Sequence, residues 1–278
     1  MAENIKTSFA DNAALLPDVQ ILYHSFVRIG DWHFYDNSMP FWRLYYNYDE
    51  GAYVKVGSRT VNMTPDKVIL LSPDVVISTD AKKEYHIRHF FVHFDISGII
   101  QNHPNGVFEI DVSDMQGLIN MICNEKTDFA GLRNTLRVRS LITFLLSHLS
   151  DEILQKWSGK TYAAERIRKV VKYIQKNYNR SISNNQLAAV AGVSMNQLLR
   201  DFRNNIGLSP QAYIRREQIR NACIMLNSSL LSIDEIAEQT GFFDRYHFSK
   251  IFRNVTGVPP AGYRRKITSG KFNLSSDK

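Results

Sequence analysis

Apolar residues along this chain follow two different periods. From about Val19 to Asp95 they alternate in short runs broken by turn signals at Gly51-Ala52, Gly57-Ser58 and Thr64-Pro65-Asp66-Lys67, which predicts closely spaced strands. Lys67–Pro73 and Ile87–Phe94 are the clearest of these. In the second run, His89, Phe91 and His93 take one face and Phe90, Val92 and Phe94 the other. From Ser113 onward the period becomes three to four. Ser113 and Gln116 have capping-box spacing ahead of a helix carrying Met115, Leu118, Ile119 and Ile122. After a break at Lys126–Gly131, a longer helix is predicted from Leu132 to Trp157. Its stripe is Val138, Leu141, Ile142, Leu145, Leu149 and Ile153. Phe144 and Leu146 widen that stripe beyond one packing face, so burial against both the barrel and a second subunit is expected, with a homodimer through Val138, Leu141, Ile142, Leu145 and Leu149; a monomer whose helix packs only on its own barrel is the alternative. The strands and these helices together predict an antiparallel β-barrel or jelly roll with a C-terminal helical hairpin.

The remaining residues repeat themselves. Ser194–Tyr213 overlays Asp244–Tyr263 at an offset of fifty. The pairs Phe202/Phe252, Arg203/Arg253, Asn204/Asn254, Gly207/Gly257, Pro210/Pro260 and Tyr213/Tyr263 are identical. Upstream, Ser183-x-x-Gln186 and Ser232-x-x-Glu235 each have the form of a capping box. The helices they open should stop at Gly192 and Gly241, where glycine takes the left-handed conformation most easily. Ser194 and Asp244 then cap a second helix in each copy. Two helix, glycine turn, helix units follow, joined by an amphipathic helix from about Pro210 to Asn227 with Ala212, Ile219, Cys223 and Leu226 near one face. The second helix of such a unit is the one that enters a major groove.

In the first unit Leu198, Leu199 and Phe202 recur at helical spacing toward a core. Asn196, Gln197 and Arg200, with Ser194 at the helix start, are left outward as candidate DNA contacts. An arginine fork matches guanine O6 and N7, and Asn or Gln matches adenine. In the second unit Phe248 and Phe252 take the core positions, leaving Arg245, Tyr246, His247 and Lys250 outward. For each of these side chains, phosphate contact or plain exposure is the competing role.

The paired units, and above all the Gly241–Arg265 run, resemble the DNA-binding domain of AraC-type bacterial transcription regulators over about Arg166 to Lys266. The family pattern has a small polar residue where Phe243 stands, and Arg245 and His247 also depart from it. The resemblance implies that Asn196 and Arg200 occupy base-reading positions, and that Arg245, Tyr246 and Lys250 correspond to outward positions of the second unit. It implies a cupin-like effector-binding domain at residues 1–157, a linker at 158–165, the double helix-turn-helix domain at 166–268 and a tail at 269–278. It further implies double-stranded operator DNA and RNA polymerase as partners, in an activator responsive to a small molecule, with a sugar the expected class.

Charge agrees with this division. Residues 1–159 hold 14 Lys/Arg against 19 Asp/Glu, a balance of −5. Residues 160–278 hold 20 against 8, a balance of +12. A cationic half is attracted to polyphosphate by counterion release. Cys123 and Cys223 lack metal-ligand spacing and read as two free thiols. No apolar run approaches the roughly 20 residues of a spanning helix, and the N-terminal residues lack the charged and apolar segments of a signal peptide, so a cytoplasmic protein without membrane association is expected.

Candidate effector contacts come from the aromatic-rich stretch 32–48, with Trp32, Trp42, Arg43 and Tyr45, and from the strand bearing His89, Phe91 and His93. Aromatic faces stack on the C–H faces of sugar rings, and Arg43 can hydrogen-bond hydroxyls or a carboxylate. The competing role for most of these aromatics is ordinary core. The rival readings are a regulator without a small-molecule effector, an architectural DNA-bending protein without a ligand, and a cupin-type metal enzyme tethered to DNA; against the last, His89 and His93 would lie about 13 Å apart along an extended strand, too far to share an ion. No cofactor and no catalytic residue are expected.

Overall fold

The computed structural model describes residues 18–30, 32–81, 86–97, 106–124, 128–158 and 162–265. The Met1–Lys6 segment and the expected tail from residue 269 lie outside them. Strands β1 (Asp18–Ile29), β2 (Phe34–Asn37), β3 (Trp42–Asn47), β4 (Ala52–Val56), β5 (Arg59–Met63), β6 (Lys67–Leu71), β7 (Ile77–Ala81), β8 (Ile87–Ser97) and β9 (Val107–Asp111) form two antiparallel sheets. One sheet runs β1-β8-β3-β6-β9 and the other β2-β7-β4-β5. The turns expected at Gly51, Gly57 and Thr64–Lys67 join β3 to β4, β4 to β5 and β5 to β6.

The five-stranded sheet is covered on both sides, which explains why all six residues of β3 are buried. Trp42, Leu44 and Tyr46 of β3 and Phe90, Val92, Phe94 and Ile96 of β8 pack toward the helices that follow the sheets. Tyr45, Ile69, Leu71 and Ile87 face the four-stranded sheet and meet Val54, Val61, Met63 and Ile77 there. Alternating side chains on a central strand thus serve two cores.

The helices on the first side are α1 (Gln116–Ile122), α2 (Leu132–Ser147) and α3 (Asp151–Ser158). The expected continuous helix from Leu132 to Trp157 is therefore two helices. The chain breaks at His148–Ser150, and Asp151 and Glu152 in the first turn of α3 complement its N-terminal dipole. The stripe expected to join two subunits goes elsewhere. Val138, Leu141, Ile142, Leu145 and Leu149 are all buried against the protomer's own sheet, beside Trp42 and Phe90. Sheet and helix bury each other's apolar faces, so none of the five is available to a partner. The apolar residues that α2 does present to solvent are Leu132 and Leu136, 75% and 55% exposed.

The C-terminal domain opens with α4 (Tyr162–Asn177), which starts inside the expected 158–165 linker. It continues through α5 (Asn184–Ala191), α6 (Met195–Ile206), α7 (Pro210–Ser228), α8 (Ile233–Gln239) and α9 (Arg245–Thr256), and residues 260–265 are helical again. Each helix-turn-helix unit has its own core. Leu187, Leu198, Phe202 and Ile214 fill the first with Ile167, Val170 and Ile174 of α4. Ile219, Cys223, Leu226, Ile236, Phe248, Phe252 and Tyr263 fill the second. Helix α7 spans both, with Pro210 pre-set for its first turn and Ser209 capping it. Ala212, expected on its buried face, is exposed.

The second core extends across the domain boundary. Met39 and Phe41, ahead of β3, are buried among Ile219, Ala222 and Cys223, and Leu22 of β1 packs there too. The same face of α7 carries ions into the interface. Arg220 pairs with Asp95 at 3.2 Å and Glu217 at 3.1 Å, and donates to Gln20 at 3.1 Å. Arg216 pairs with Asp74 at 3.2 Å and donates to the Pro40 carbonyl at 3.3 Å.

Candidate nucleic-acid interface and ligand wall

The two units are built by the same local rules. Ser183 accepts from the Gln186 amide at 3.2 Å while the Gln186 side chain accepts from the Ser183 amide at 2.8 Å. Ser232 and Glu235 repeat this at 3.2 and 2.7 Å. Both turns close through a left-handed glycine, Gly192 at φ 66° and Gly241 at φ 81°. The next amides, of Val193 and Phe242, donate to the Ala188 and Ala237 carbonyls. The Gly241 position is also tight: a Cβ there would stand 2.8 Å from the backbone of Asn179, whereas one on Gly192 would meet nothing.

After the glycine the copies diverge by one residue. Val193 corresponds to Phe242 through the shared turn hydrogen bond, yet the caps of the second helices are Ser194 and Asp244. Phe243 is the surplus residue. Phe242 holds the inward position, its ring 5.2 Å from Phe248, and Phe243 is left 99% exposed.

The expected DNA contacts differ in how far each is presented. Ser194 spends its hydroxyl on the α6 cap, accepting from the Gln197 amide at 3.3 Å. Asn196 and Arg200 are exposed on α6, as expected. Gln197 is half-buried, and its amide donates to Asp201 at 2.7 Å, a carboxylate that also pairs with Arg166 at 3.3 Å. It faces its own domain rather than outward, because Asp201 lies one helical turn further on and offers it an acceptor. On α9, Tyr246, His247 and Lys250 are exposed. Arg245 is exposed too but is tethered to Asp234 of α8 at 3.2 Å.

The candidate effector residues separate by strand parity. Arg43, Tyr45 and Asn47 of β3 are register partners of His93, Phe91 and His89 of β8, so all six share the sheet's inner face. Trp32 joins them, its ring 5.4 Å from Tyr45 and 4.8 Å from His89. Trp42 does not. It is one residue from Arg43 and so on the opposite face, stacked 6.1 Å from Phe94 and edge-on to Trp157 at 6.2 Å. Its role is core.

Three neighbours complete the wall. Asn47, fully buried, meets His89 Nδ1 at 2.7 Å. Tyr23 lies 5.6 Å from Phe91, and Phe41 lies 4.9 Å from His93. Asn47 follows from the same parity that groups Arg43 with Tyr45. Burial pushes His89 and His93 down to about 3, so both imidazoles are neutral at physiological pH. For His93, the nearby Arg43 guanidinium adds to the effect. Arg43 itself is 1% exposed and donates to the Val75 carbonyl at 2.9 Å.

His89 and His93 lie on one wall without a carboxylate or thiol partner for an ion, and no group of three or more His, Cys, Asp or Glu side chains suited to a metal occurs among the described residues. Both cysteines are buried as thiols, with burial pushing Cys123 up to about 12. Among the described residues, no helix is long and apolar enough to cross a membrane.

Comparison with known proteins bears on both halves. Residues 187–266 match a helix-turn-helix domain family. The chain is 33% identical over 124 residues to the Msm operon regulatory protein of Streptococcus mutans, a match covering 45% of this chain and 42% of that protein. It is 29% identical over 108 residues to the raffinose operon transcriptional regulatory protein RafR of Pediococcus pentosaceus, covering 39% of each. These matches thus span less than half the length of either relative. A crystal structure of ToxT from Vibrio cholerae with unsaturated fatty acid bound covers 91% of this chain and 96% of its own, with a TM-score of 0.59 at 13% identity. That likeness extends the shared fold across both domains.

Proposed function

We propose that this chain, an AraC-type protein by its double helix-turn-helix domain and its two-domain fold, is a sequence-specific DNA-binding transcription regulator whose N-terminal sheets bind a small effector. The observation that carries the reading is the pair of equivalent reading helices, α6 and α9, braced by one connecting helix in the cationic half of the chain. One protomer then reads two major-groove segments about one DNA turn, roughly 10 base pairs, apart. Asn196 and Arg200 read bases from α6, while Tyr246, His247 and Lys250 meet the DNA from α9. Arg200→Ala should cost roughly 1–3 kcal/mol and relax preference at one base pair if its contact is bidentate. Gel shifts on operator variants check this: a uniform loss across all sequences would make Arg200 a phosphate contact.

The effector reading rests on the inner wall of Trp32, Arg43, Tyr45, Asn47, His89, Phe91 and His93. Aromatic faces beside neutral hydrogen-bonding rings suit a sugar, and the name of the raffinose operon regulator agrees with that class. The buried Arg43 guanidinium supports a second class, a small carboxylic acid. A thermal-shift screen of the full chain with mono- and oligosaccharides, sugar acids and apolar carboxylic acids separates the two, since a ligand of the native state raises its stability by mass action. A saturable shift lost in Tyr45→Ala and retained in Leu132→Ala supports the wall as the site. No shift with any class removes the effector from the account and leaves the DNA reading standing.

The regulator acts in the cytoplasm, engages RNA polymerase at its promoter as an activator, and has no catalytic step of its own. Its homodimer uses the outer face of α2, where Leu132 and Leu136 are exposed, in place of the buried stripe.

A further inference from the structure

We infer that Phe243, together with Tyr246 three residues further on, is a specificity element of the second unit that recognises the 5-methyl groups of thymine in the major groove. This rests on the DNA-reading function proposed above.

The inference comes from what the one-residue insertion does. The inward position after the glycine is filled by Phe242, so the core of the second unit is complete without Phe243. The extra residue is expelled immediately ahead of the Asp244 cap, at the end of α9 that in this motif points at base edges. There the protein exposes a phenyl ring almost entirely, and two positions beyond the cap a phenol that is 86% exposed. Such a pair of rings in water stabilises nothing in the isolated protein. Cationic neighbours argue for nucleic acid as what covers them: Lys250 stands one turn further along the exposed face of α9, and residues 160–278 carry a balance of +12.

The pairing of Arg245 within its own domain points to methyl recognition. Arg245, between the two rings in sequence, is paired with Asp234, so the first turn of α9 presents two exposed rings beside the His247 imidazole where a base-reading helix commonly presents donors alone. In the major groove the apolar base feature is the thymine methyl, for which phenylalanine is a fitting partner. The first unit has no inserted residue, and presents Asn196 and Arg200 instead. The two units should therefore differ in kind: the first selects by hydrogen bonds and the second by methyl groups.

The test replaces thymine by deoxyuridine, which removes the methyl and leaves pairing intact. Duplexes preferred by the full chain are first selected from a random pool. Each thymine of the preferred site is then replaced singly, and binding by the parent, Phe243→Ser and Tyr246→Ser is measured by fluorescence anisotropy. One or two replacements in the segment facing α9 should weaken parent binding about fourfold each, what burial of one methyl group is worth. Phe243→Ser should bind the thymine and deoxyuridine duplexes alike, with the melting temperature and the salt dependence of binding unchanged. Parent binding that stays within twofold for every replacement would overturn the inference, as would discrimination that persists in Phe243→Ser. Uracil-insensitive binding combined with loss of transcription in Phe243→Ser would assign the rings to a protein surface instead. If no duplex is preferred, the DNA-reading function itself fails and the inference falls with it.

Discussion

His89 and His93 tie the stability of the N-terminal domain to acid pH. Their folded pKa values, about 3, lie below the ordinary 6.5. Unfolded histidine takes up a proton as the pH falls through 6.5 while the buried rings refuse it, so stability is complete above 6.5 and is lost progressively toward 3. Burial lowers His24 as well, in the same direction. By pH 5 each deeply buried ring should cost about 2 kcal/mol. Urea melts at pH 7 and pH 5 should show the loss, and His89→Gln should shrink it; equal stability at both pH values would show that the rings titrate normally. The two turn glycines offer a second comparison. Gly192→Ala meets open space and should lose about 1 kcal/mol for its left-handed backbone. Gly241→Ala adds a clash with the Asn179 backbone and should lose clearly more, as read by thermal melts.

At the scale of single elements, period-two reasoning recovered the inner face of β3 and β8 because alternation is a backbone property. Arg43, Tyr45, His89, Phe91 and His93 fall together for that reason. Trp42 shares their aromatic character but not their parity, and it lies in the helix-side core. The stripe on α2 shows the limit of a helical period: it states that a face is covered but not by what, and the cover is the protomer's own sheet. The apolar residues left outside give a different dimer test. If the outer face of α2 joins two subunits, Leu136→Arg should convert a sedimenting dimer to a monomer without lowering the melting temperature. A parent that is monomeric at micromolar concentration contradicts the dimer.

Across the whole molecule, the contact of α7 with the sheets was not legible at all, since Arg216 and Arg220 read as ordinary helix cations and their partners lie far away in sequence. The same contact sets the inner wall of β3 and β8 next to the C-terminal domain. Phe41 is buried beside Ile219 and Ala222 while its ring lies 4.9 Å from His93, and Arg43 is held by the carbonyl of Val75, next to the Asp74 that pairs with Arg216. Arg220→Ala would strand Asp95 and Glu217 in a buried interface and should cost about 3–5 kcal/mol. Replacing all three by apolar residues should recover much of that loss in denaturant melts. The duplicated unit, by contrast, was legible because its caps, left-handed glycines and core phenylalanines are local features repeated in register. What it does is decided most directly by selecting duplexes from a random pool with the purified full chain. Enrichment of one sequence with two preferred blocks about 10 base pairs apart is expected, the first block lost in Arg200→Ala. A pool that binds without enrichment, with affinity set by salt alone, would contradict it.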